Sequence, residues 1–251
     1  MDPDFAPAPA PVLDPELAAL RAPGGFFVLR TAEPRASALP ALAEAYAPEP
    51  PDVQRDPLGR RVRKVGAALR APEPRVAASV AQQGLAARLW SVALGCAALY
   101  GTVPDLDPRL LRWDPDGSAP DDLWLPRVRP LPGGASTLAE AVLDGHLTLL
   151  NTAVRARYGL AAGLLWGNAA SALAGAAREL DRWARRHGRT DTAARSRALA
   201  AGLLRHPLLA STGTLTGTAF RRRSCCLYYR VPNGGVCGDC CFPRPPRTTP
   251  R

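Results

Sequence analysis

The pattern of apolar and polar positions predicts that this chain is mostly helical. Residues 76–100, VAASVAQQGLAARLWSVALGCAALY, carry apolar side chains at helical spacing. Cys96 lies in this segment and is expected to pack as a small buried hydrophobic residue. Ser136 as a simple N-cap, or the capping box from Thr137 to Glu140, opens a second helix.

Two further helices are predicted in the second half of the chain. The second helix should run to about Arg157, a third to about His187, and a fourth from Thr190 or Asp191 to Pro207. Proline cannot continue a helix, so Pro207 is expected to close the fourth one. Three antiparallel helices therefore follow one another in this half.

Other segments depart from the helical pattern. Residues 110–126, which contain LRWDPDGSAPDDLWLP, place two short Leu/Trp segments around a Pro-Asp-Gly turn and predict a β-hairpin. Residues 1–12 are expected to form a flexible arm, 14–21 a short helix, and 48–57 and 71–75 loops. The predicted fold class is therefore α+β, predominantly α-helical, with short β-hairpins.

An uncharged stretch lies between Arg157 and Arg178. Its many alanines and glycines supply little of the transfer free energy that a membrane span requires, so we expect a buried helix and no transmembrane segment. Small residues at steps of four form a ridge on this helix that lets a neighbouring helix or chain segment approach closely: Gly159, Gly163, Gly167, Ser171 and Gly175.

The formal net charge is +10, and Lys64 is the only lysine. The arginines are scattered from Arg21 to Arg251, whereas a nucleic-acid surface needs them clustered, so no nucleic-acid partner is expected. The N-terminal MDPDFAPAPAPVLDP lacks the features of a signal peptide, which predicts a cytoplasmic location, with the inner face of the membrane as the alternative. The chain has no dinucleotide-binding or Walker motif, so if it does redox chemistry, the electrons must come from elsewhere.

Five of the six cysteines lie in the C-terminal segment RRRSCCLYYRVPNGGVCGDCCF, residues 221–242, which we call the cysteine segment. In a cytoplasmic chain, such crowding favours a metal or redox site over disulfides. Zinc sites usually pair two Cys-x(2–4)-Cys motifs, but here Cys225 and Cys226 are adjacent and would point to opposite sides of an extended chain. A 2Fe-2S cluster divides its ligands between two metals, so the spacing favours it over zinc.

The residues between the cysteines predict a hairpin. LYYRV has strand character and residues 232–235, Pro-Asn-Gly-Gly, are turn residues. The facing pairs would be Val231 with Val236, Cys226 with Cys241 and Leu227 with Cys240. Cys237 then requires a tight turn at Gly238-Asp239 to bring it back towards the other thiols.

The pattern Cys-Cys-x10-Cys-x2-Cys, preceded by RRRS and followed closely by the end of the given sequence, resembles the iron-sulfur signature of the FhuF-like ferric-siderophore reductases. LYYR and the upstream LLWGNAAS are also similar to segments of that family. The resemblance implies a 2Fe-2S cofactor on four cysteines that act as metal ligands and as the redox-active site: Cys225, Cys226, Cys237 and Cys240. Cys241 is an extra thiol that could compete with Cys240.

The resemblance also implies a function and partners. It predicts an enzyme that reduces the Fe(III) of a ferric siderophore, a hydroxamate being one candidate class, with electrons from a ferredoxin or a NAD(P)H-dependent reductase. Residues 13–220 would form a mainly helical siderophore-binding domain and residues 221–251 the cluster segment. Two alternatives remain: a zinc-stabilised non-enzymatic module, with nucleic acid as a candidate ligand of its arginines, and an iron-sulfur electron carrier or sensor without siderophore turnover.

Further side chains are candidate contributors to the site. His146, Trp166 and Asn168 are candidate substrate contacts, and Asn168 is alternatively a structural residue, since a buried amide needs partners. His187 and His206 are expected near helix C-termini, where a cation suits the helix dipole. The flanking arginines should stabilise a reduced, more negative cluster: Arg221, Arg222, Arg223 and Arg230. Tyr228 and Tyr229 are expected to pack on the strand.

Overall fold

The computed structural model describes residues 13–14, 17–31, 38–48, 52 and 56–246. The arm predicted at 1–12 lies outside the described residues, as does most of the loop predicted at 48–57. The described part consists mainly of helices, with three small antiparallel sheets of two strands each. The predicted α+β class, predominantly helical, is confirmed.

The helices confirm the segments predicted from the hydrophobic pattern. In chain order they are α1 (Pro57–Leu69), α2 (Pro74–Tyr100), α3 (Ala135–Leu138), α4 (Thr148–Tyr158), α5 (Ala162–Arg186), α6 (Thr190–Leu204) and α7 (Pro207–Ala210). A π-helical stretch, Ala139–Leu147, joins α3 to α4. Single short 3-10 helices lie at Ala18–Arg21, Leu42–Tyr46 and Tyr228–Arg230.

Helix α2 lies at the centre of the fold. Most of its residues from Val76 to Tyr100 are buried, and it packs against α1, α4, α5 and α6. A helix with apolar and small residues on all sides has to be surrounded by other elements. Cys96 is fully buried within α2, as predicted, and burial raises the pKa of its thiol.

The second predicted helix begins neither with Ser136 as N-cap nor with a capping box from Thr137 to Glu140. Gly134 is the N-cap, with extended backbone and no side-chain cap, so Ser136 and Thr137 already lie inside the first turn. The tertiary structure explains this start: a Cβ added at Gly133 would lie 2.5 Å from the carbonyl oxygen of Gly101, at the end of α2. This close backbone approach places the chain for an immediate helical turn.

Two shorter elements also differ from prediction. Pro207 not only follows α6 but takes the first position of α7, where His206 is the N-cap and its Nδ1 accepts the N–H of Leu208 at 3.4 Å. The helix predicted at 14–21 is a single 3-10 turn, Ala18–Arg21, whose first N–H is bonded by Asp14 at 3.1 Å. His206 therefore lies between two helices, beyond the end of α6.

The hairpin predicted within residues 110–126 is confirmed. It consists of β2 (Arg112–Trp113) and β3 (Leu123–Trp124) in antiparallel register. The other sheets pair β1 (Thr102–Pro104) with β4 (Pro130–Pro132), and β5 (Gly213–Thr216) with β6 (Ala219–Arg222). The β5–β6 hairpin, turned through Gly217 at φ +61, was not predicted and leads directly into the cysteines.

The uncharged stretch after Arg157 forms most of α5, which is largely buried, as predicted. Within the described ranges, no helix has the length and hydropathy to cross a bilayer.

Candidate metal centre

The cysteine segment packs on the ridge of small residues along α5. Ser224 Oγ donates to the carbonyl oxygen of Gly163 at 2.9 Å, and Ser171 Oγ donates to Asp239 Oδ2 at 2.6 Å. A Cβ added at Gly167 would lie only 2.3 Å from Ser224 Oγ. The close approach predicted for the ridge is confirmed, and the approaching element is the cysteine segment itself.

A backbone hydrogen bond holds the two ends of the cysteine segment together. The N–H of Arg222 donates to the carbonyl oxygen of Asp239 at 3.0 Å. The residues before the first pair of cysteines therefore lie beside the turn between Cys237 and Cys240. Asp239 joins both this bond and the contact with α5, so it positions the turn on the helix.

The extended hairpin predicted within the cysteine segment is wrong. Leu227 has a left-handed backbone at φ +69, and Tyr228–Arg230 form a 3-10 helix. The N–H groups of Arg230, Val231 and Gly234 bond to carbonyls three residues earlier, so they are not available to a strand ladder. The facing pairs Val231–Val236, Cys226–Cys241 and Leu227–Cys240 therefore do not form as strand partners, and Tyr228 and Tyr229 do not pack on a strand.

The tight turn predicted after Cys237 is confirmed. The N–H of Cys240 donates to the carbonyl oxygen of Cys237 at 3.0 Å, and this turn contains Gly238 and Asp239. Cys237 Sγ lies 3.7 Å from Cys226 Sγ, so the turn brings Cys237 next to the adjacent cysteines at 225 and 226. The loop conformation, not a ladder, brings these thiols together.

Backbone N–H groups point at two of the other sulfur atoms. Leu227 N–H donates to Cys225 Sγ at 3.3 Å, and Phe242 N–H donates to Cys240 Sγ at 3.4 Å. Such N–H···S bonds stabilise the thiolate form of cysteine and, at metal centres, tune the ligand.

The thiols differ in how readily they ionise. The hydrogen bond between Cys226 and Cys237 lowers the pKa of Cys226 and raises that of Cys237. Burial raises the pKa of Cys225 to about 11 and also raises that of Cys241. Metal binding needs thiolates, so loading this site must displace protons.

The thiols do not form a ready cage for a single ion. Across the described part of the chain, no three or more His, Cys, Asp or Glu side chains are grouped to hold one metal ion. Cys226 and Cys237 approach each other to 3.7 Å, and Cys225, Cys240 and Cys241 are near enough to one another to interact electrostatically.

Arg222 is a buried cation beside these thiols. Its side chain is 2% exposed, and Nη2 donates to Asn168 Oδ1 at 2.5 Å and to the carbonyl oxygen of Leu164 at 3.3 Å. Its Nε and Nη1 are buried and find no acceptor among the described residues. The thiol–thiol hydrogen bond and burial have the larger effects on the pKa values of Cys226 and Cys237. The positive charge of Arg222 also lowers both pKa values and so favours the thiolates.

Asn168 connects this arginine to the central helix. Its Nδ2 donates to the carbonyl oxygen of Ser79 at 3.0 Å and to Gln82 Oε1 at 2.9 Å. Ser79 Oγ in turn donates to the carbonyl oxygen of Cys226 at 2.8 Å. Of the two roles predicted for Asn168, the structural one is observed, and it serves the cysteine segment.

Residues 222–242 match the family model of the FhuF 2Fe-2S C-terminal domain. The match takes in all five cysteines of the segment and begins at the buried Arg222. It confirms the predicted resemblance for this segment and supports 2Fe-2S as the cofactor. None of the curated proteins compared with the chain matches it.

The chain's own residues fit this FhuF-type cofactor. A 2Fe-2S cluster with thiolate ligands is a buried or half-buried anion, whose stability depends on hydrogen bonds and charge around the sulfurs. Arg222 offers a positive charge and two unused donors, Nε and Nη1, next to the cysteines. A buried polar donor needs an acceptor, so these groups suit an anionic sulfur centre.

Two of the predicted substrate contacts pack in or against the protein core. His146 is fully buried: its Nδ1 lies 2.6 Å from Tyr46 Oη and its Nε2 lies 2.6 Å from the carbonyl oxygen of Leu106. Burial lowers its pKa to about 4, so it is a neutral core residue and the predicted pocket role is wrong. Trp166 packs half-buried against the core.

The other predicted charged residues have mostly structural contacts. Arg230 pairs with Glu73 at 2.6 Å, and Arg221 donates to the carbonyl oxygen of Cys241 at 3.4 Å. Arg223 is exposed, so Arg222 is the buried member of the arginine run. His187 lies at the C-terminal cap of α5, as predicted.

Several positioning residues were not identified from the sequence. Ser79, Gln82 and Asp239 contact the site only through the tertiary fold. The sequence carries one signal for them, the Asp between Cys237 and Cys240, which by itself indicates only a turn.

Proposed function

We propose that this protein is a ferric-siderophore reductase, in which a 2Fe-2S cluster on the cysteine segment provides one electron to chelated Fe(III). The observation that carries the proposal is the match of residues 222–242 to the FhuF 2Fe-2S C-terminal domain. The two unused donors of buried Arg222 support it, because they suit an anionic centre at this place.

The proposed ligands, which are also the redox-active residues, are Cys225, Cys226, Cys237 and Cys240. The 3.7 Å approach of Cys226 to Cys237 supports their shared role, as do the N–H···S bonds to Cys225 and Cys240. Cys240 is preferred over Cys241 because its sulfur accepts such a bond and follows the Cys-x-x-Cys spacing.

The chemistry follows from the number of electrons and the hardness of the ligands. When bound, a 2Fe-2S cluster supplies one electron, which is the number that converts Fe(III) to Fe(II). Hard oxygen chelators such as hydroxamates hold Fe(III) more tightly than Fe(II), so the chelate loosens after reduction. An external ferredoxin or NAD(P)H-dependent reductase must restore the electron, and a ferric siderophore is the substrate.

The helical part has the complementary role in this proposal. Residues 13–220 would bind the siderophore, residues 221–251 would carry the cluster, and reduction would take place in the cytoplasm. The packing of the cysteine segment on α5 supports these two roles, since hydrogen bonds of Ser224 and Asp239 hold the cysteine segment against the helical part.

Single-turnover reduction tests the proposal. Protein purified without oxygen is reduced with dithionite, freed of excess reductant, and mixed with ferrioxamine B, a ferric trihydroxamate, and a coloured Fe(II) trap. We expect one Fe(II) per reduced cluster for the wild type and none for Cys225→Ser. A wild type that carries the cluster but leaves the chelate ferric would be an electron carrier or sensor, and a colourless zinc protein would be the structural module.

A further inference from the structure

A cavity of about 430 Å³ opens beside Cys237. It lies between the loop at residues 23–27, helices α2 and α5, and the turn that follows Cys237. The loop contributes Phe26, α2 contributes Ala87, and α5 contributes Gly175. Small-molecule sites usually measure roughly 300–1,000 Å³, so this cavity has the size of a ligand site.

A buried arginine fixes the loop wall of the cavity. Arg88, 2% exposed, donates to the carbonyl oxygen of Phe26 and, at 2.8 Å, to that of Val28. Its Nε pairs with Asp122 at 2.8 Å, so its charge is compensated. A loop held through its backbone by a paired cation gives a preformed wall.

The charges around the cavity are already paired. Arg178 faces Asp239 at 3.3 Å and Glu179 pairs with Arg182 at 2.9 Å. Phe26 is 49% exposed at the wall and offers an aromatic face for apolar contact. Three hydroxamates balance the charge of Fe(III), whereas three catecholates leave the complex strongly anionic. The lining therefore suits a charge-balanced chelate with apolar arms, since its described residues offer no unpaired cation.

We propose that this cavity receives the ferric chelate and holds it against the turn that carries Cys237, an inference that rests on the reductase function proposed above. Cys237 is both a wall residue and a proposed ligand, so the electron has a short path to the substrate. One electron is lost at the centre and gained by Fe(III), which becomes Fe(II), and the external reductase or ferredoxin restores it. No bond to the protein forms or breaks.

Filling the cavity from α5 tests the proposal. A Cβ added at Gly175 would have only the far end of Arg178 within 4 Å, at 3.9 Å, among the described residues, so Gly175→Phe can enter the cavity without a backbone clash. Ala194→Phe is the matched control, because it adds the same ring at an exposed position of α6 that is not part of the described lining of this cavity.

Binding of ferrioxamine B to oxidised, cluster-loaded protein is measured by calorimetry. We expect Gly175→Phe to weaken the affinity at least about tenfold, and Ala194→Phe to bind like the wild type. Ala87→Phe, which fills the same cavity from α2, should repeat the loss. Iron and sulfide content shows whether each variant keeps its cluster. If Gly175→Phe loses its cluster, the affinity of Ala87→Phe is the test of the cavity.

The outcomes separate the site from the function. If the cluster-loaded cavity variants bind the chelate as tightly as the wild type, and the wild type reduces it, the cavity is not the binding site. The reductase function is then unaffected. Equal loss in Ala194→Phe also overturns the cavity as the binding site, because the effect is then not local. A wild type that neither binds nor reduces the chelate overturns the function and the inference together.

Discussion

Replacing Gly167 by leucine should push the cysteine segment away from α5. The first atom of the new side chain would lie 2.3 Å from Ser224 Oγ and 3.3 Å from Arg222 Nη2. Ordinary contacts between carbon atoms are about 3.5–4.0 Å. Ser224 would have to leave the carbonyl oxygen of Gly163, which it bonds at 2.9 Å. The rest of the leucine would compete with the Arg222 guanidinium for space.

The expected magnitude follows from three effects. Overfilling a packed site costs about 1–3 kcal/mol, and losing the Ser224 hydrogen bond costs about 0.5–1.5 kcal/mol. Replacing glycine inside a helix returns roughly 0.5–1 kcal/mol. We therefore expect Gly167→Leu to lower the free energy of unfolding by about 0.5–4 kcal/mol, and to reduce the iron content because the segment that carries the cysteines is displaced.

Urea unfolding followed by circular dichroism, with iron analysis of the same samples, measures both effects. Gly163→Leu is the matched control, because this exposed glycine lies one turn earlier on the same ridge and an added Cβ would meet no described atom within 4 Å. It should leave the free energy of unfolding unchanged or raise it by up to about 1 kcal/mol, because it replaces a helix glycine without a clash. Equal stability and equal iron content in the two variants would refute the role of the ridge in docking the cysteines.

Three further predictions concern the cluster and the core. Arg222→Gln removes a positive charge beside the cluster and should lower its reduction potential by about 50–130 mV, the equivalent of roughly 1–3 kcal/mol for one electron. Arg223→Gln, at an exposed position, should leave the potential nearly unchanged. Equal shifts of the two variants in a redox titration would argue against the role of Arg222. Burial lowers the pKa of His146 from its ordinary 6.5 to about 4, so its stabilising contribution is complete above pH 6.5 and falls by about 3 kcal/mol as the pH drops towards 4. His146→Phe should flatten that part of the stability profile, and an unchanged profile would contradict it. Cys241→Ser should keep about two irons per chain and Cys240→Ser should lose them; the reverse result would exchange the two as ligands.

The helical part of the fold was predictable because its signals are local. The pattern in residues 76–100 and the charge-free stretch before Arg178 each indicate a buried helix without reference to any partner. The helix start at Gly134 was not predictable in this way. It depends on the close approach of Gly133 to the end of α2, which outweighs the capping preference of Ser136.

The conformation of the cysteine segment could not be predicted from its local sequence. Its metal chemistry could be predicted from the spacing, but its path could not, since Leu227 adopts a left-handed backbone that leucine rarely takes. The ridge predicted a close neighbour without saying which one. Only the fold brings Ser224 to Gly163 and buries Arg222 against Asn168, although the arginine run was visible in the sequence.

The most direct test of the account is the metal content of protein purified without oxygen, with its visible spectrum. The wild type and Cys96→Ala, which alters the buried cysteine of α2, should be brown with about two irons and two sulfides per chain. Cys225→Ser should be colourless under the same conditions. A colourless wild type that contains zinc, or a Cys225→Ser variant with the full iron content, would contradict the account.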